Sequence, residues 1–153
     1  AEIIAEPHGL EVGQHDDFKE LNHGILEGLT PEEIRQRHGE FLDRWLRQPG
    51  SEAIPNGESL EEVQARAWEL LHHLVQELAG NAADRTIVVV GHYLTNLTLL
   101  CKVLGMPLSQ YRRLAQETAA VNVLRFQADH VQVVRLNDTS HLHHYPVENS
   151  TAT

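Results

Sequence analysis

The chain has 153 residues and a net charge of −10, from twelve basic and twenty-two acidic side chains. That length suits one domain with a real core, and that charge excludes the basic footprint of a non-specific nucleic-acid binder. The single cysteine, Cys101, excludes an internal disulfide framework and suits a reducing compartment. No apolar run approaches the roughly 18 residues of a membrane span, so a cytoplasmic location is expected, with neither nucleic acid nor membrane as partner.

The first seven residues, Ala1 to Pro7, read as the last turns of an amphipathic helix with no cap before it. Residues 8 to 18 read as a loop with a short strand around Leu10 and Val12, and residues 19 to 30 as an irregular, glycine-rich stretch. Thr30-Pro31-Glu32-Glu33 then carries a capping box and a proline at the first helical position. Ile34, His38, Phe41 and Trp45 share one face of the predicted helix, which Gln48-Pro49-Gly50 ends. Ser59-Leu60-Glu61-Glu62 is a second capping box, opening a helix with an apolar stripe through Leu60, Val63, Ala67, Leu71, Leu74 and Leu78.

Thr86-Ile-Val-Val-Val90-Gly91-His92 has the β-branched run of a strand covered on both faces, as in a parallel sheet. A helix is predicted over 93–104, stopped by Gly105 and Pro107. His92 thus lies at a strand-to-helix switch, the end of the strands where open α/β sheets bind ligands. A short helix is predicted over 108–114. Val121–Phe126 and Val131–Leu136 read as an antiparallel hairpin. The polar tail from 143 to 153 is expected to be mobile.

Glu20-Leu-Asn-His-Gly24-Ile-Leu-Glu-Gly28-Leu-Thr30, Gly57-Glu58-Ser59-Leu60-Glu61, Val89-Val90-Gly91-His92 and Asn137-Asp138-Thr139-Ser140-His141-Leu142 follow one another at fitting distances. Together they resemble the histidine phosphatase superfamily, also called phosphoglycerate mutase-like, over residues 1–142. The resemblance implies an α/β three-layer sandwich around a mainly parallel sheet. It implies phosphoryl transfer through a phosphohistidine, with no metal and no organic cofactor. It places Glu20 at the general acid and His92 at the second histidine, which donates to phosphoryl oxygens. The amino end of the 93–104 helix would add backbone donors for the same oxygens. Tyr93 and Leu94 stand where the family often has Gly-Gly or Gly-Asn, and are expected to line the substrate pocket. Glu58 is expected either at the pocket rim or as a charge at the start of its helix.

The family's nucleophile belongs to an Arg-His-Gly motif directly after the first strand. Arg37-His38-Gly39 has those letters but follows the general acid and sits inside a capped amphipathic helix, so His38 reads as structural. The 153 residues therefore read as a carboxy-terminal portion whose nucleophile and first strand lie before Ala1, and they are expected to be inactive alone. The expected activity is hydrolysis of a small phosphomonoester. A phosphoglycerate mutase is the weaker reading, because only Leu29 to Asn56 separates the general-acid loop from the Gly-Glu-Ser loop, with no room for a long insertion. The alternative from another class is a non-catalytic binding or regulatory chain that keeps the fold. A serine hydrolase has no Gly-x-Ser-x-Gly elbow to rest on. The expected partner is a small phosphorylated substrate, with a homodimer left open.

Overall fold

Helices form where their capping signals stand. In the computed structural model, which describes residues 1–50, 52–79, 85–127 and 130–142, α2 runs Pro31–Arg47 from a complete capping box. The Thr30 hydroxyl accepts from the Glu33 N–H at 3.3 Å, and the Glu33 carboxylate accepts from the Thr30 N–H at 2.9 Å. Helix α3, Leu60–Ala79, starts in the same way, with Ser59 and Glu62 exchanging their bonds at 2.8 and 3.2 Å. Each cap satisfies two amides that a helix start otherwise leaves without partners. Ahead of them lies α1, Glu2–Ala5. Helix α4 covers Tyr93–Val103, and the short helix expected near 108–114 is a 3-10 turn over Leu108–Arg113.

The described residues fall into two units, one over residues 1–113 and one from Leu114 on. In the first, α3 packs on α4. Leu60, Val63, Ala67, Leu97 and Cys101 are fully buried there, which is the apolar stripe of α3 meeting the apolar helix that follows His92. Burial of each leucine contributes roughly 1.5–3 kcal/mol. Gln64 adds a polar tie, its side-chain N–H donating to the Thr98 carbonyl at 2.8 Å. Helix α2 is not straight. His38 leaves helical geometry at φ −134°, ψ 25°, next to Gly39, where helix propensity is low. The kink breaks the predicted common face, so Phe41 and Trp45 are buried while Ile34 and His38 are only half-buried.

In the second unit β1, Val121–Phe126, pairs antiparallel with β2, Val131–Asp138. This is the predicted hairpin, extended by two residues, and its turn at 128–129 lies outside the described residues. So does the tail at 143–153.

Two strand expectations are corrected. Leu10 and Val12 lie in no strand and are exposed. The 86–91 segment forms no ladder among the described residues, whose one sheet is β1–β2. Its exposure alternates: Ile87 and Val89 are half-buried, whereas Val88 is 63% and Val90 51% exposed. The segment covers one face, not two. A parallel strand needs flanking strands and a layer on each side, and no other described segment offers it a strand edge.

Candidate active site

The Glu20 loop and the Gly57 loop are built as one piece. Asn22 and Glu58 bond twice: the Glu58 N–H donates to the Asn22 carbonyl at 3.0 Å, and the Asn22 N–H donates to Glu58 Oε2 at 2.9 Å. The Ile25 N–H donates to the Pro55 carbonyl at 3.0 Å. This backbone-on-backbone approach explains both glycines. A Cβ on Gly24 would run into the Pro55 carbonyl and the Gly57 amide, and one on Gly57 into the Asn22 carbonyl. Gly24 also holds φ at 48°, a conformation that glycine adopts without penalty.

Arg66, on α3, locks the joint. Its Nε and Nη2 donate to the two oxygens of Glu58 at 2.7 and 3.0 Å. Nη1 donates to the carbonyls of Asp17 and Lys19 at 2.6 and 3.0 Å, and Nη2 to that of Glu20 at 3.2 Å. A guanidinium has five N–H donors, and all are used here. The Arg66 bonds hold the Glu58 carboxyl below the usual carboxylate range, partial burial opposes them, and the Asn22 amide assists them. Glu58 thus anchors Arg66 and accepts from the Asn22 amide.

The loop so fixed delivers Glu20 to the start of α4. Oε2 accepts from the Leu94 N–H at 3.0 Å. Oε1 accepts from the N–H of Thr95 at 3.1 Å and of Leu21 at 2.9 Å, with the Thr95 hydroxyl at 3.2 Å. That hydroxyl directs its hydrogen to the nearer Lys19 carbonyl, at 2.8 Å. The helix has no side-chain cap of its own, since His92 at its N-cap makes no capping bond. Glu20 supplies the missing acceptor. The amides of Leu94 and Thr95, in the first turn of the helix whose amino end was expected to add donors for a phosphate, thus bond to a carboxylate of the same chain.

His92 is exposed in the extended conformation directly before α4. Gly91 gives room beside it: a Cβ there would lie 2.6 Å from the Asn96 side-chain oxygen. Of the other expected site residues, Tyr93 is half-exposed at the same helix start, whereas the Leu94 side chain is buried in the core. The structure thus brings Glu20, His92 and Tyr93 to one helix end. His38 stays at the kink of α2. Sequence reasoning passed over Arg66, Thr95 and Asn22. The available signal for Arg66 was an arginine adjoining the apolar stripe of α3, eight residues after Glu58.

Known proteins resemble this chain in sequence and in fold. The profile of the histidine phosphatase superfamily (branch 1) matches residues 1–139, and the chain belongs to that family. It is 30% identical over 145 residues to phosphoserine phosphatase 1 of Hydrogenobacter thermophilus, covering 95% of this chain and 67% of the relative. It is 34% identical over 88 residues to the 2,3-bisphosphoglycerate-dependent phosphoglycerate mutase of Bartonella henselae, covering 57% of this chain and 41% of that one. Among solved structures, YhfR of Bacillus stearothermophilus superposes with a TM-score of 0.83 at 25% identity, covering 92% of this chain and 68% of that one. The fold class is therefore α/β and phosphoglycerate mutase-like. The chain spans about two thirds of the length of the first relative and about two fifths of the second.

Proposed function

We propose that the protein is a phosphatase of small phosphomonoesters working through a phosphohistidine, with Glu20 as proton carrier and His92 as donor to the phosphoryl oxygens. The observation that carries this reading is the seat of Glu20 on the Leu94 and Thr95 amides, two and three residues after His92. A proton carrier and a phosphoryl donor then stand at one helix end. In the first step a histidine bonds to phosphorus and the ester P–O bond breaks, while Glu20 gives its proton to the leaving oxygen. In the second, water bonds to phosphorus, the P–N bond breaks and Glu20 takes the water proton. Oε2 is the oxygen that carries it, because Oε1 accepts from two backbone N–H groups and Oε2 from one. His92 offsets the charge that gathers on the phosphoryl oxygens. Tyr93 flanks the substrate with its ring; Leu94 contributes only its backbone N–H, through Glu20. His38, at the kink of α2, is not assigned as the attacking histidine.

The phosphatase reading is favoured over the mutase because only Leu29 to Asn56 separates the Glu20 loop from the Gly57 loop, with no room for a long insertion. Residues 1–142 are taken as one domain, and the cytoplasm as the compartment in keeping with the lone Cys101. No helix among the described residues is long and apolar enough to cross a membrane.

The test is steady-state hydrolysis of a panel of phosphomonoesters by the whole protein. Glu20→Gln is expected to lower kcat by about 10²–10⁴-fold. His92→Ala is expected to lower kcat by about 10²–10³-fold and to weaken inhibition by inorganic phosphate. Unchanged turnover in both variants would sink the proposal.

A further inference from the structure

We infer that Arg66 and Glu58 are positioning residues for Glu20: the pair sets the loop backbone from which the Glu20 carboxylate reaches the start of α4. This rests on the proton-carrier reading of Glu20. Asp17, Lys19 and Glu20 belong to a segment with no regular ladder, and all three carbonyls point at one guanidinium. An irregular segment of this kind ordinarily leaves such groups to water and keeps its freedom. Arg66 removes that freedom from within α3, and its own orientation is fixed by the two-point bond to Glu58. Glu58 in turn is tied to Asn22 on the far side of Glu20. The loop is therefore held on both flanks of the catalytic side chain.

The pair is shielded, with side-chain exposures of 19% and 24%, so its bonds face little competition from water. The planar fork matters. A lysine has one point of charge and cannot serve a carboxylate and three carbonyls together. The Lys19 carbonyl completes the link to the site, since it accepts from Arg66 and from Thr95, the residue whose amide and hydroxyl also meet Glu20. Loss of Arg66 leaves the carboxylate present but badly aimed, and misplacement by about 1 Å costs on the order of 10²-fold in rate.

The experiment is a double-mutant cycle in the whole protein, with amide hydrogen exchange as an independent readout. Arg66→Ala is expected to lower kcat on an alkyl phosphomonoester by about 10²-fold, and by less than about twofold when Glu20→Gln is already present. Arg66→Lys should not rescue. Exchange at the Leu94 and Thr95 amides should speed up in Arg66→Ala as much as in Glu20→Ala. Should Arg66→Ala fail to fold, Glu58→Gln, which keeps size and one acceptor, takes its place with a loss of about tenfold in kcat under the same cycle. Equal losses with and without Glu20→Gln, or unchanged exchange at the two amides, overturn the positioning role. An inert Glu20→Gln overturns the proton-carrier reading instead, and the exchange data still decide whether the pair places Glu20.

Discussion

The joint between the Glu20 and Gly57 loops and the 86–91 segment lead to the same helix start, yet they are stabilised in opposite ways. The joint is polar, irregular and bonded within the chain: glycines admit backbone to backbone, and all five Arg66 donors bond to it. The 86–91 segment is apolar and regular in composition, but its ladder groups find no strand and two of its valines face outward. Specific hydrogen bonds can fix a segment locally, whereas a β-branched run becomes a strand only when other strands arrive. The site therefore owes its placement on one side to side-chain chemistry and on the other to the helix that follows His92.

Three perturbations bear on that contrast. The largest effect is expected from Gly57→Ala, which forces apart the Asn22 and Glu58 backbones and should cost roughly 1–3 kcal/mol of stability, the range for overpacked sites, read as a fall in the urea midpoint. A smaller effect is expected from acid. The carboxyl of Glu58 is held below its usual range by Arg66. Its contribution is thus fully present above the unfolded-state value, about 4.5, and is lost as pH falls through the folded one. The urea midpoint should drop below about pH 4.5, and it should drop less in Glu58→Gln, which lacks this titrating group, while the carboxylates of Glu33 and Glu62, also held low, keep part of the drop. The smallest effect belongs to Val88→Ser, at an exposed position, which should stay within about 0.5 kcal/mol. A loss comparable to that of a core leucine, about 2–5 kcal/mol, would show that a further surface covers this face.

The helices were legible because their signals are local. Two capping boxes, a proline at a first turn and an apolar stripe located α2 and α3 within the chain itself. The hairpin was legible from two alternating runs around a turn signal. The strand at 86–91 was not, because its composition describes the neighbours it wants and not those it has. Glu20 and His92 were reached through spacing of four motifs. What joins Glu20 to α4 was hidden, since Arg66 and Thr95 stand 46 and 75 residues from it in sequence. A polar residue on an apolar helix looks like a solvated edge until the loop it serves is placed against it. The bonds from the Leu94 and Thr95 amides to Glu20 were hidden for a related reason: periodicity predicts a helix start but not which side chain from elsewhere will cap it.

The central claim is that Glu20 is a proton carrier aimed at the leaving oxygen. Its most direct test compares Glu20→Gln with the unaltered protein on two substrates, an alkyl phosphomonoester and an aryl phosphomonoester with a strongly acidic leaving group. The alkyl ester needs a proton as its P–O bond breaks and the activated aryl ester does not. The account predicts a loss of about 10²–10⁴-fold in kcat on the first and a loss near tenfold or less on the second. Equal losses on both would contradict it.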